Sequence, residues 1–168
     1  HDALPIFPNN YNSVENITPL ETPLSSTVNG AALATPVFLS LYAENDLRLD
    51  KYFAEADEKG FRKNKKAGSN NYLCTFRVGE IYLTAAEAAA QLGQLPQART
   101  RLLELMRKRY APEAYEAKSI AVNAMDKEAL VQEILDERAR ELAFEGHRWF
   151  DLRRSTRPRL EKVLGGMR

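Results

Sequence analysis

The sequence predicts a mostly α-helical fold in which a helix hairpin is accompanied by long irregular loops. Helical periodicity is strongest over residues 77–109, and a second helical segment follows Asp126. Five of the eight prolines, in contrast, precede Val37 among Asn, Thr and Ser residues. A chain of 168 residues is long enough for one domain. We therefore predict a single domain over residues 1–168, and the start at His1 rather than Met predicts a piece of a larger protein.

The composition excludes several classes of function. A net charge of +1 gives no broad field that would attract nucleic acid or an anionic membrane. No stretch approaches ~20 consecutive apolar residues, so no membrane-spanning helix is predicted. His1 and His147 cannot supply a zinc-type spacing, and Cys74, the single cysteine, cannot form an intrachain disulfide. We expect no cofactor and no metal, and we expect Cys74 to be a small buried residue.

Residues 1–36 are predicted to form an extended arm. Proline fixes φ and lacks the amide donor, so this segment is unsuited to a regular helix or sheet. Phe7 and Tyr11 are the residues that would dock the arm on the rest of the protein.

Residues 37–75 are predicted to contain a short helix and loops. Thr35 and Pro36 have the residue types of an N-cap and a first helical position. The polar, Lys-rich stretch 54–71 carries turn signals at Gly60 and Gly68. We expect a long loop or an irregular hairpin there.

Residues 76–109 are predicted to form an antiparallel helix hairpin. The apolar face of the first helix, at i, i+3, i+4 and i+7 spacing, consists of Val78, Ile81, Tyr82, Ala85, Ala89 and Leu92. The apolar face of the second helix, which opens at Pro96, consists of Ala98, Leu102, Leu105 and Met106. Gly93 lies between them, where a positive φ would end the first helix.

This hairpin is of the tetratricopeptide type. Ala86 and Ala98 are small enough to let the two helix axes approach closely, and Tyr82, Gly93 and Ala98 occupy compatible positions of that repeat's consensus. No second copy is evident in the sequence. Because such repeats need neighbours to bury their remaining face, one copy implies that partners of the hairpin are missing.

Residues 126–154 are predicted to form a helix and a following turn. After a looser stretch that contains Tyr110, Pro112 and Tyr115, Asp126 is a suitable N-cap. The helix is predicted to run over residues 127–145 and to end at Gly146.

Charged residues interrupt the apolar face of this helix. The face is defined by Val131, Ile134, Leu135 and Leu142. At 100° per residue Arg138 and Glu145 project into it, and Glu141 lies at its edge. Such charges cost several kcal/mol each unless they are paired. We therefore predict a structural ion network, beside Phe144, Trp149 and Phe150, that consists of Arg138, Glu141, Glu145, Arg148 and Asp151.

The acidic residues of this segment allow two interpretations. As paired carboxylates, Glu141, Glu145 and Asp151 would suit the acid and base of a glycoside hydrolase. The matched arginines favour the structural interpretation, because Arg lowers the pKa of a carboxyl group and spoils it as a general acid. Trp149 is likewise favoured as a core residue over a sugar platform. Other catalytic motifs are absent from the sequence, and we predict that the protein is not an enzyme.

Three segments resemble a known family. They are SLYAENDLRLDKYF (residues 40–53), FRVGEIYLTAAEAAAQLGQLPQARTRLLELMRKR (residues 76–109) and ERARELAFEGHRWFDLRR (residues 137–154). The first segment contains an Asn-Asp-x-Arg element, and the third contains Glu-Leu-x-Phe-Glu-Gly. The second has an Arg before a helix that contains Ala-Glu-Ala, and it continues through a Gly to a second helix that ends in Arg-x-Arg. These elements resemble, in content and order, those of the SusD-like (RagB/SusD) nutrient-binding lipoproteins of Gram-negative bacteria. The chain is similar to the C-terminal portion of these longer proteins.

The resemblance implies a cell-surface protein that is lipid-anchored to the outer membrane. It implies a lid on a SusC-like TonB-dependent transporter, capturing glycans or peptides for import. The family's lipidated cysteine lies at the N-terminus, so Cys74 is not that anchor. No ligand-binding residue can be carried over, because the family's ligand contacts lie in variable loops rather than in these motifs.

The predicted function is therefore non-catalytic binding of a nutrient, most simply a glycan. Phe7 and Tyr11 are the candidate sugar-stacking residues, next to the hydrogen-bonding amides of Asn9, Asn10 and Asn12. The alternative is that Phe7 and Tyr11 only pin the arm to the helices. A tetratricopeptide-type scaffold that docks partner proteins is the second function class.

Overall fold

The computed structural model describes residues 8–9, 33–43, 45–64, 73–74, 77–145 and 147–155. Within them the helices are α1 (Pro36–Leu39), α2 (Arg48–Tyr52), α3 (Val78–Gln91), α4 (Leu95–Met106), α5 (Pro112–Ala124), α6 (Lys127–Glu141) and α7 (His147–Arg154). The strands are β1 (Pro8–Asn9), β2 (Leu33–Ala34), β3 (Phe53–Ala56), β4 (Arg62–Asn64) and β5 (Leu73–Cys74). The predicted mostly helical fold is confirmed. None of the described helices is long and apolar enough to cross a membrane.

Helices α3 and α4 form the predicted hairpin. Gly93 has a φ of 77°, as predicted, and the Gln94 amide donates to the Ala89 carbonyl over 2.8 Å to close the turn. No atom lies within 4 Å of a Cβ built on Gly93, so its backbone conformation alone explains the glycine. The predicted apolar face of α4 is also correct, because Ala98, Leu102, Leu105 and Met106 are all buried.

The predicted apolar face of α3 is partly wrong. The buried residues of this helix are Gly79, Leu83, Ala86, Ala89 and Ala90. Ile81 and Leu92, which the sequence places on the apolar face, are 42% and 75% exposed. Helix α3 packs against both α4 and α6. Close packing against two helices at once requires small side chains at the contacts. The positions of the larger apolar residues therefore did not indicate which face of α3 is buried.

The prediction of a loose stretch before Asp126 is also wrong, because residues 112–124 are helical. The stretch predicted to be loose is helix α5, with Pro112 in its first turn and Ala111 extended before it. Val122 is the one side chain of α5 that is fully buried among the described residues. A helix that buries so little has weak apolar periodicity, and its sequence pattern therefore resembles that of a loop.

Helix α6 begins as predicted and ends early. The Asp126 Oδ1 accepts from the Ala129 amide over 2.8 Å, which confirms the N-cap. The helix ends at Glu141 rather than near 145. Phe144 then adopts a positive φ of 64°, which turns its ring toward Phe38. The predicted helix end at Gly146 lies outside the described residues.

A second apolar cluster lies beside α1 and β3. Its ring contacts centre on Phe53, whose centroid lies 5.5 Å from that of Tyr42 and 6.1 Å from that of Phe144. The short helix α1 is capped as predicted, since the Phe38 amide donates to the Thr35 Oγ1 over 3.2 Å. Edge-on packing of these rings stabilises the chain reversal at Phe144.

The irregular hairpin predicted after Ala54 is present. Strands β3 and β4 are antiparallel and form a three-stranded sheet in the order β2–β4–β3, with a register shift between Phe53 and Ala56. Gly60 turns the chain with a φ of 78°. Strands β1 and β5 pair separately, with Pro8 opposite Cys74. The Cys74 side chain and Gly68 lie outside the described part of the chain.

Candidate functional site

Glu141 is the centre of a buried ion network. Its side chain is 0% exposed and accepts two hydrogen bonds from Arg109, Nε to Oε2 over 2.8 Å and Nη2 to Oε1 over 3.0 Å. The Arg48 Nη1 donates to Oε2 over 3.1 Å, and Arg77 donates to Oε1 and to the Glu141 carbonyl. Three guanidinium groups thus surround one carboxylate, and the paired fork of Arg109 is the strongest of these geometries.

Arg48 links this carboxylate to a second one. Its Nη1 lies 2.7 Å from the Glu137 Oε1, and its Nη2 lies 2.7 Å from the Asp46 Oδ2. Arg140 approaches Glu137 from the other side, with 2.7 Å between its Nε and Oε2, and its Nη2 is 2.7 Å from the Glu133 Oε1. Each of these charges has an opposite neighbour, which is the condition for burying it at tolerable cost.

The network shifts the pKa of the groups inside it. Burial raises the pKa of the Glu141 carboxyl, but hydrogen bonds from Arg109 and the charges of Arg109, Arg77 and Arg48 lower it from 4.5 to about 2. Burial and the Glu141 charge raise the pKa of Tyr52 to about 12. A carboxyl group held ionised and enclosed in this way cannot donate a proton near neutral pH.

A second ion cluster joins α7 to α3 and α6. The Arg138 Nε lies 3.1 Å from the Asp151 Oδ2, and its Nη1 donates to the Thr84 Oγ1 over 3.2 Å. Arg154 contacts the Asp151 Oδ1 over 2.7 Å and forms a two-point ion pair with Glu87. Asp151 is therefore held between two arginines.

The predicted network residues divide between these two clusters. Arg138 and Asp151 are buried in the second cluster, Glu141 is buried in the first, and the half-buried Glu145 lies 3.2 Å from Arg77. Arg148 is exposed, and within the described part of the chain no carboxylate lies within ion-pair distance of it. Its inclusion in the network is wrong, because α7 turns this side chain outward.

The aromatic neighbours differ from the prediction as well. Phe144 packs in the second apolar cluster instead of on the ions. Phe150 is 68% exposed, so it is not part of a core beside the network. The Trp149 side chain lies outside what the structure describes, and so do the candidate sugar-stacking residues Phe7 and Tyr11.

Seven members of the central network were not named in the prediction from the apolar stripe. They are Asp46, Arg48, Arg77, Arg109, Glu133, Glu137 and Arg140. All of them except Glu133 fall within one of the three family-like segments, so the sequence carried a signal for six of them. Periodicity on one helix could not reveal that charges from four separate segments meet, since it reports only the face of that helix.

An open groove lies along α4 and is lined by residues of α3, α4 and α5. Its volume is about 460 Å³. Its apolar surface comes from Tyr82 on α3, Leu103 on α4 and Tyr115 on α5. These three residues pack against the apolar core that α3, α4 and α6 form. Polar atoms come from Glu104, Arg107 and Lys108. No group of His, Cys, Asp and Glu residues that would hold a metal ion occurs among the described residues.

Comparison with known proteins identifies the family. The model of the SusD family matches residues 26–162. The chain belongs to the SusD family. The resemblance inferred from three motifs is thereby confirmed.

One SusD-family relative of known structure shares the fold. It is the SusD-like carbohydrate binding protein from Bacteroides vulgatus ATCC 8482, with a TM-score of 0.53 and 26% sequence identity over 70% of this chain. The chain spans 26% of the length of that protein. A comparison with curated proteins found no match.

Proposed function

We propose that this SusD-family chain is part of a non-catalytic, cell-surface glycan-binding protein that delivers its ligand to a SusC-like TonB-dependent transporter of the outer membrane. The observation that carries the proposal is the SusD-family match over residues 26–162. The relative from Bacteroides vulgatus is described as a carbohydrate binding protein, which supports a glycan as the ligand. Lipid anchoring at the outer membrane belongs to the same proposal and follows from the family.

The geometry of the carboxylates supports binding rather than hydrolysis. Glycoside hydrolases need one carboxyl group that is protonated near neutral pH and a second one that reaches the sugar. Glu141 is enclosed by three arginines and has a pKa of about 2, and Asp151 is held between Arg138 and Arg154. Glu141 therefore cannot serve as the protonated acid, and Asp151, which is 3% exposed, does not reach a sugar. A tetratricopeptide-type scaffold is supported less well, because scaffolding arrays need several tandem repeats and the described residues contain one such hairpin.

Calorimetric titration of the whole protein with a panel of neutral and acidic oligosaccharides tests the proposal. We expect measurable binding of at least one oligosaccharide and no release of reducing ends. If Phe7 and Tyr11 form the stacking site, Tyr11→Ala weakens binding by about tenfold, while Tyr11→Phe, which keeps the ring, retains most of it. Release of reducing ends would refute the non-catalytic assignment, and binding that ignores Tyr11→Ala would remove Tyr11 from the site.

A further inference from the structure

We propose that the groove along α4 binds an anionic oligosaccharide, such as one built from uronic acids. The inference rests on the proposed glycan-binding function and adds to it a site and a substrate class. The walls of the groove come from three different helices, with Tyr82 on α3, Leu103 on α4 and Tyr115 on α5. A surface formed by packed helices is held rigid before a ligand arrives, which lowers the entropic cost of binding.

The tyrosines supply the contact that sugars need. Tyr82 and Tyr115 are half-buried and pack against the hairpin core, so part of each ring remains accessible. An aromatic ring covers the C–H face of a pyranose, and a phenolic hydroxyl can donate to or accept from a sugar hydroxyl. The Arg101 guanidinium carbon lies 5.9 Å from the Tyr82 ring centroid and restrains that ring.

The charge of the groove selects an anion. Glu104 is its acidic residue, and the Arg101 Nη1 lies 3.2 Å from the Glu104 Oε2. Arg107 and Lys108 are exposed, and no carboxylate of the described residues lies within ion-pair distance of either side chain. Two cations therefore remain for a ligand. The planar fork of Arg107 suits a carboxylate or a sulfate, and the Lys108 ammonium adds a point charge.

The two features together favour a sugar over other anions. An acidic peptide would use the cations but has no need of the two tyrosines that line the groove. A neutral glycan would use the rings but leave Arg107 and Lys108 without partners. An anionic oligosaccharide uses both, because each acidic residue of such a chain presents a pyranose face and a negative group.

The test is calorimetric titration of the whole protein with tetragalacturonate, with a neutral tetrasaccharide, with a sulfated tetrasaccharide and with an acidic hexapeptide. The variant is Arg107→Gln combined with Lys108→Gln, whose side chains are exposed, so the fold is retained. The matched control is Lys51→Gln combined with Lys59→Gln, two exposed cations outside the groove. Circular dichroism checks that both variants are folded.

We expect an anionic tetrasaccharide to bind, and the groove variant to weaken it by about tenfold while the control variant does not. The carboxylate and sulfate arms then show which anion the groove accepts. Oligosaccharide binding that ignores the groove variant would overturn this site and leave the proposed function standing. Loss of peptide binding alone in the groove variant would overturn the sugar assignment. Failure of every oligosaccharide to bind would overturn the proposed function and this inference with it.

Discussion

At the scale of single residues, Gly79 shows how closely the ion network is packed. A Cβ at this position would lie 3.0 Å from the Glu141 Oε1 and 3.3 Å from its Cγ. Gly79 is in the first turn of α3, two residues after Arg77, which contacts the same carboxylate. The glycine is therefore required for a close approach between α3 and Glu141, and its own φ is not positive.

Replacing Gly79 with Ala tests this close packing. Ala normally stabilises a helix by about 1 kcal/mol relative to Gly. We expect the opposite sign here, a loss of about 1–2 kcal/mol, because Glu141 is held by three arginines and cannot move aside. Urea denaturation measures the change, and Ala85→Gly, on an exposed part of α3, serves as a propensity control with a loss of about 1 kcal/mol. A more stable Gly79→Ala protein would contradict the packing argument.

At the scale of elements, α6 carries charges for both clusters on different sides of one helix. Glu137 and Glu141 face α2 and the end of α4, whereas Arg138 faces α3 and α7. Helix α7 has eight residues, and its Asp151 and Arg154 form ion pairs with Arg138 and Glu87. We infer that Arg138 positions α7 on the hairpin.

Arg138→Ala is expected to loosen α7. The substitution removes hydrogen bonds to Asp151 and Thr84, yet Asp151 keeps its contacts with Arg154. The cost should therefore be about 2–3 kcal/mol, below the 3–5 kcal/mol typical of a buried charge left alone. Hydrogen exchange should show the largest loss of protection in α7.

Gln132→Ala, on the exposed face of α6, is the matched control for Arg138→Ala, with an expected loss of ~0.5 kcal/mol. Unchanged exchange in α7 of the Arg138→Ala protein would show that this helix is held by other contacts.

At the scale of the whole molecule, the ion network joins segments far apart in the chain. Asp46 and Arg48 come from the first family-like segment, Arg77 and Arg109 from the two ends of the second, and Glu141 from the third. Buried ion pairs add little net stability compared with apolar packing. They do penalise wrong arrangements strongly, because a misplaced segment would leave a charge unpaired. The network therefore favours one arrangement of the helices.

The depressed pKa of Glu141 predicts acid sensitivity. In the folded protein this pKa is about 2 against an ordinary value of 4.5, so the unfolded chain binds more protons between these pH values. The stabilisation is complete above pH ~4.5 and is lost as the pH falls towards 2, with a total of about 3 kcal/mol. Denaturant titrations from pH 6 to pH 2 measure this loss.

Glu141→Gln should lose less free energy across that pH range, whereas Glu128→Gln, an exposed control on the same helix, should behave like the unchanged protein. The carboxyl ¹³C shift of Glu141 provides a direct reading in the unchanged protein. A titration midpoint near 4.5 in the folded state would refute the assigned environment.

Local interactions explain which elements could be predicted from sequence. The N-caps Thr35 and Asp126, the turn at Gly93 and the apolar face of α4 depend on neighbours within a few residues, and all were predicted. Family membership could also be predicted, because the three motifs are defined by the order of residues along the chain.

Tertiary contacts decided the rest. The buried face of α3 depends on two packing partners, the end of α6 depends on Phe144 meeting Phe38, and the outward position of Arg148 depends on how α7 packs. Charge pairing shows the same division: the sequence determined that buried charges on α6 needed partners, since an unpaired charge in a core is too costly. Only the folded chain decided that Arg48, Arg77 and Arg109 are those partners, because distances between remote segments are set by packing and not by spacing along the chain.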